Sequence, residues 1–148
     1  MFEHSSWIAE KGAKLRPFQN LDALHLALCE IVKNSAGARQ LDLIRAHPDL
    51  VGRAALQGTL TRESNSEQTS AGLGKLSVEE MELFKNFNST YRGRFGFPFV
   101  ICARLNKKEA ILSGFRIRLN NSRAAEKQIA LEEIFKIALL RLRDLVQA

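Results

Sequence analysis

Apolar residues recur at intervals of three and four along most of the 148-residue chain, the spacing that gathers them on one face of an α-helix. Asn20 stands just ahead of Leu21, Leu24, Leu28, Ile31 and Val32, where its side chain can cap a helix that should end near Gly37. Leu41 and Ile44 mark a shorter helix running into His47 and Pro48. A proline disfavours helical backbone in the residue before it, so His47 should be the last residue of that helix or the first of a turn. Asp49 can then cap a further helix in LVGRAALQG, a pattern weakened by Gly52. The clearest start signal is LSVEEM, where Ser77 and Glu80 have capping-box spacing and Leu76 and Met81 stand where a hydrophobic staple clasps a first turn. The helix beyond it carries Met81, Phe84 and Tyr91 and should fray near Gly93. RFGFPFVICARLN, aromatic and broken by glycine and proline, reads as an ordered loop or short extended piece. Two helices close the chain, one around Ile111, Leu112, Phe115 and Leu119 and a long one from about Ser122 to Val146. With no strand alternation, repeat or linker, the pattern predicts an all-α fold, an irregular single-domain helical bundle over residues 1–148.

Composition narrows this only slightly. A chain of this length can bury about two thirds of its unfolded surface in one core without staples. Apolar residues make up 45% and charged residues 26%, which excludes a disordered segment. Cys29 and Cys102 match no metal-ligand or redox spacing, so a reducing compartment is expected. No apolar run approaches the roughly 18 residues that span a bilayer, no secretory segment opens the chain and no S-K-L signal closes it; the expected location is cytoplasmic, away from membranes. The net charge of +6 favours anionic partners without choosing among nucleic acid, lipid and a small carboxylate.

Candidate chemistry lies at three places. On a helical wheel of the last helix, Ala130, Ile134, Ile137, Ala138 and Leu145 form one stripe with Arg141 in its middle, while Arg143 points the other way. A guanidinium facing a core needs a carboxylate, carbonyls or an anionic ligand, so Arg141 is a structural ion pair, a snorkelling side chain or a substrate anchor. In TRESNSEQTSAGL, Ser64 and Glu67 have the spacing of a second capping box, yet Gln68 and Gly72 extend the polar reach beyond a cap. His47 either interacts favourably with a helix C-terminus as an imidazolium or, if Glu67 shares its pocket, moves protons near neutral pH. His4, His25 and His47 lack ligand spacing, so no metal is expected. RGRFGFPFV loosely has the aromatics of an RNA-recognition strand, but Pro98 would break the ladder and no βαββαβ pattern surrounds it, so nucleic-acid binding is not expected.

Taken in series, FEHSSWIAE, RAHPDLVGRAA, TRESNSEQTSAGL, FNSTYRGRFGFPFVICA and EEIFKIALLRLRDLV resemble the 2-oxo-4-hydroxy-4-carboxy-5-ureidoimidazoline (OHCU) decarboxylase family, in order and from Phe2 to the end of the chain. The resemblance implies an all-α, cofactor-free, usually dimeric carboxy-lyase of urate breakdown that converts OHCU to (S)-allantoin and CO2. By position it implies His47 as the catalytic histidine and Glu67 as its acidic partner. It implies substrate contacts at Pro48, at Ser64, Asn65, Ser66, Glu67 and Gln68, at Phe99, Val100, Ile101, Cys102 and Ala103, and at Arg141. Family members usually carry a helix ahead of the FEHS segment, so the chain is expected to lack that first helix, and Ser6 stands where proline is common before the tryptophan. In this reading Glu67 holds His47 in tautomer and direction, Arg141 anchors the substrate in a forked geometry, and Ser64 and Gln68 read its ureido arm. The rival reading is a noncatalytic basic helical module that binds a polyanionic partner.

Overall fold

The computed structural model describes residues 2–13, 20–52 and 58–147, and among these every regular element is helical. In chain order they are α1 (Ser6–Ala13), α2 (Leu21–Lys33), α3 (Gly37–Arg45), α4 (Arg62–Ser70), α5 (Val78–Phe95), a 3-10 turn (Ala103–Leu105), α6 (Lys108–Arg118) and α7 (Arg123–Gln147). The expected all-α class is what forms.

Most starts follow from side-chain chemistry. Asn20 accepts a hydrogen bond from the Ala23 N–H at 2.8 Å and opens α2. Ser77 and Glu80 exchange both bonds of the capping box at 3.1 Å and open α5. Ser122 Oγ accepts from the Ala125 N–H at 3.1 Å ahead of α7.

The long α7 is the axis on which the others pack, presenting buried Ala130, Leu131, Ile134, Ile137 and Ala138. Against it lie α2, α3 and α5. Helix α1 packs closely on α2 because Gly12 has no side chain: a Cβ there would stand 2.5 Å from Leu28 Cδ2. A second layer is aromatic, with Tyr91 of α5 at the centre of Phe95, Phe97, Phe99 and Phe115. Phe99 stacks on Phe115 at 3.8 Å between centroids.

Three expectations are corrected. Helix α5 does not fray at Gly93 but runs to Phe95, because the left-handed residue that ends it is Gly96 at φ 79°. Asp49 does not start a helix at Leu50. Residues 49–52 form a turn, with the Gly52 N–H on the Asp49 carbonyl at 3.3 Å and Val51 at φ 53°, and the rest of the expected helix, 53–57, lies outside the described residues. Leu145 leaves the buried stripe of α7 and is 67% exposed, since the last turn of the helix extends past the core.

Candidate active site

His47 sits one residue past the C-cap of α3, where the last carbonyls of a helix have no intrahelical partner. Its ring closes that gap: Nδ1–H donates to the Leu43 carbonyl at 2.9 Å. A carbonyl can only accept, so the proton of the neutral ring belongs to Nδ1 and Nε2 is left as a bare base. Nε2 is buried and has no hydrogen-bond partner among the described residues. Burial pushes the imidazole pKa down to about 4, with Arg141 and His4 adding to the effect, and the Leu43 carbonyl and the Glu3 carboxylate opposing it. His47 is therefore a neutral base at neutral pH. Of the two readings of His47, burial favours the neutral base over the imidazolium at a helix terminus.

The turn after His47 is clamped from several sides. The Gln68 amide accepts from the Val51 N–H at 3.1 Å and donates to the Asp49 carbonyl at 3.3 Å. Asn88 donates to the Leu50 carbonyl at 2.8 Å, and Arg92 Nε pairs with the Asp49 carboxylate at 2.9 Å. Gln68 thus spends both ends of its amide on the loop that aims His47, where the sequence pointed to a reader of the ureido arm.

Helix α4 starts earlier than a Ser64–Glu67 capping box would place it. Thr61 is the N-cap, accepting from the Ser64 N–H at 3.2 Å, which puts Ser64, Glu67 and Gln68 inside the helix on its buried face. Arg141 of α7 meets them in a fork. Its Nε and Nη2 donate to the two oxygens of Glu67 at 2.8 Å each, and Nη2 also reaches Ser64 Oγ at 3.3 Å. A third acid joins them from the segment before α1. Glu3, 4% exposed, lies 3.5 Å from Arg141 Nη1 and accepts from Thr61 Oγ1 at 3.0 Å and from the Ser64 hydroxyl. Burial alone would raise the Glu3 pKa, but the Ser64 bond, the Arg141 charge and the Thr61 bond outweigh it and hold the carboxyl below its ordinary value. Glu67 does not orient His47 as the family resemblance implied, because Leu43 does so and the Glu67 carboxylate is bound to Arg141.

The facing wall is the extended piece between α5 and the 3-10 turn. Arg118 Nη1 donates to the Val100 carbonyl at 2.7 Å while its guanidinium lies 4.2 Å from the Phe99 ring centre. Two residues on, the Cys102 N–H donates to Glu133 Oε1 at 3.0 Å. Arg118 is itself held by Glu126 at 2.8 Å.

These elements line a small cavity of about 30 Å³, or about 360 Å³ when the open space at its mouth is counted. His47, Pro48, Ser64, Glu67, Gln68, Phe99, Val100, Ile101, Ala103 and Arg141 all line it. Of the residues expected to contact substrate, Asn65 and Ser66 are on the exposed face of α4 and Cys102 is buried behind the wall; none of the three lines the pocket. Leu50 and Ile137 line it without having been anticipated. Glu3 was also missed as a site residue, although it stands in the FEHS segment, because an acid near a chain start carries no periodicity that marks it as buried.

The family model described as OHCU decarboxylase matches residues 1–143. The chain belongs to the OHCU decarboxylase family. It is 46% identical over 132 residues to the 2-oxo-4-hydroxy-4-carboxy-5-ureidoimidazoline decarboxylase of Amia calva, covering 89% of this chain and 75% of that one. It is 44% identical over 146 residues to the uric acid degradation bifunctional protein of Bacillus subtilis, covering 99% of this chain but 29% of that longer protein. Among solved structures, an OHCU decarboxylase crystallised in the presence of (S)-allantoin superposes with a TM-score of 0.79 at 25% identity, covering 98% of this chain and 94% of that one.

Proposed function

We propose that the chain decarboxylates OHCU to (S)-allantoin and CO2 in urate breakdown, without a cofactor and with His47 as the proton-transfer group. The observation that carries this reading is the buried, unpartnered Nε2 of His47, a residue that lines the same pocket as Glu67 and Arg141.

Decarboxylation needs a place for the electron pair of the broken bond, a task for which many enzymes bind an organic cofactor. OHCU contains its own: as the carbon–carboxylate bond breaks and CO2 leaves, the pair moves into the ring toward the conjugated C=N, whose nitrogen takes a proton. The resulting enol loses its hydroxyl proton and gains one at the neighbouring ring carbon, giving the carbonyl and the single stereocentre of allantoin. The ring nitrogen draws its proton from solvent, while His47 Nε2 takes the enol hydroxyl proton as a base and returns that proton to the ring carbon from one side, which makes the product a single enantiomer. Arg141, already oriented by Glu67, offers its charge to an electron-rich edge of the ring, and apolar Leu50, Val100, Ile101 and Ile137 exclude water around the breaking bond.

The reaction is tested by generating OHCU from urate with uricase and hydroxyisourate hydrolase and following the optical activity of the allantoin. The wild-type chain should produce the (S) enantiomer, whereas racemic product at the spontaneous rate would overturn the proposal. His47→Asn should remain folded and lose roughly 100- to 10,000-fold in rate. The family likeness also supports a homodimer, for which light scattering should give about twice 16.6 kDa. The buried, reduced thiols of Cys29 and Cys102 support a cytoplasmic site of action. No helix of the described residues is long and apolar enough to cross a membrane.

A further inference from the structure

The two oxygens of Glu3 face different partners. Oε1 receives the Thr61 hydroxyl and lies beside Arg141, and Oε2 receives the Ser64 hydroxyl. A carboxylate only accepts, so the single hydroxyl proton of Ser64 is committed to Glu3. Arg141 Nη2 occupies one side of the Ser64 oxygen as a donor. The polarity left to Ser64 on the pocket side is that of an acceptor.

We propose that Glu3 is a positioning residue of this active site: by fixing the Ser64 hydroxyl as an acceptor toward the pocket, it selects the N–H groups of a ureido arm. The inference rests on the OHCU reading and assigns a part of its specificity. OHCU and allantoin both carry N–H donors on that arm, and hydantoin has the ring of allantoin without it. A site built to bond a particular polar group loses most when that bond is mismatched, while ligands lacking the group are indifferent to it.

Glu3→Gln reverses the polarity at one atom. The amide oxygen is drawn to Thr61 and Arg141, both donors, which leaves the NH2 facing Ser64. Ser64 must then accept from the introduced amide and turn its own proton toward the pocket. Calorimetric titration of wild-type and Glu3→Gln protein with (S)-allantoin and with hydantoin reads the effect without turnover. Expected is a tenfold or greater loss in (S)-allantoin affinity, with hydantoin affinity within twofold of wild type. Equal losses for both ligands would mean that Glu3 only holds the fold, and no loss for either would mean that it does nothing for the site; each result overturns the inference. If Glu3→Gln does not fold, Glu3→Asp decides in its place: it keeps the charge but withdraws it from Ser64, and should show the same selective loss. Wild-type protein that binds neither ligand would defeat the OHCU reading itself, and the inference with it.

Discussion

At the scale of single residues, the site is governed by which buried groups have a protein partner. His47 is buried as a neutral ring with a pKa near 4, well below the ordinary value of 6.5. In the unfolded chain it binds a proton below pH 6.5, and in the folded chain only below about pH 4. The unfolded state therefore holds more protons between those values, and acidification through that window destabilises the fold by up to about 3 kcal/mol from this residue. Urea denaturation of wild type and His47→Asn at about pH 7 and about pH 5 should show a loss of stability on acidification that is smaller in the variant. The same ionisation should shape activity: kcat/KM should fall as pH drops toward 4, when the base form of Nε2 is lost. Arg141 makes a different demand. Lysine would keep its charge but cannot present two parallel N–H groups to Glu67, so one carboxylate oxygen loses its buried partner. Arg141→Lys should lower stability by about 1–3 kcal/mol and kcat/KM by roughly tenfold or more, measured by thermal melts and steady-state kinetics.

At the scale of elements, what the sequence made legible was whatever repeats or caps locally. Ser77 and Glu80 announced α5 because their bonds are made within one turn, and Asn20 announced α2 for the same reason. The buried position of Arg141 was legible because helical periodicity alone puts it among Ile134, Ile137 and Ala138. The start of α4 was misread because two residues of TRES can cap. Thr61 takes the role since its hydroxyl can serve both the Ser64 N–H and the Glu3 carboxylate, a choice that depends on a residue 58 positions away. For the same reason Glu3 was not visible in the sequence, whereas the orienting carbonyl of Leu43 lies only four positions before His47 and is a local partner that the helix end makes available. Thr61 therefore joins the opening of a helix to the floor of the site. Thr61→Ala should cost about 0.5–2 kcal/mol through the lost cap, and because it also releases one oxygen of Glu3, the kinetic effect should appear in KM as well as in stability. Thr61→Ser, which keeps the hydroxyl, should restore both.

At the scale of the whole molecule, the wall of the pocket is only as well defined as the buried network behind it. Arg118 of α6 reaches Glu126 of α7 at 2.8 Å, the Val100 carbonyl at 2.7 Å and the Tyr91 hydroxyl of α5 at 3.4 Å, and Tyr91 donates to the same Glu126 at 2.6 Å. Asn121 completes the set on the other oxygen of Glu126 at 2.8 Å. Three helices thus share one buried acid, and Arg118 links it to the pocket wall. Such a network is not in itself the most stable filling, because replacing a whole buried ion pair by apolar side chains of similar volume is often neutral or better, whereas removing one member leaves a charge without a partner. Arg118→Met should therefore lower the melting temperature sharply, by about 3–5 kcal/mol in stability. Arg118→Met with Glu126→Leu should recover part of that loss by removing both charges, with the Tyr91 hydroxyl, the Asn121 amide and the Val100 carbonyl still missing their partners. What the double variant should not recover is catalysis: without the guanidinium on the Val100 carbonyl and against the Phe99 ring, the wall loses the contacts that fix its backbone, and kcat/KM should stay well below wild type even where the melt is partly restored. A double variant with both stability and activity restored would mean that the wall is shaped by apolar packing alone, chiefly the stack of Phe99 on Phe115.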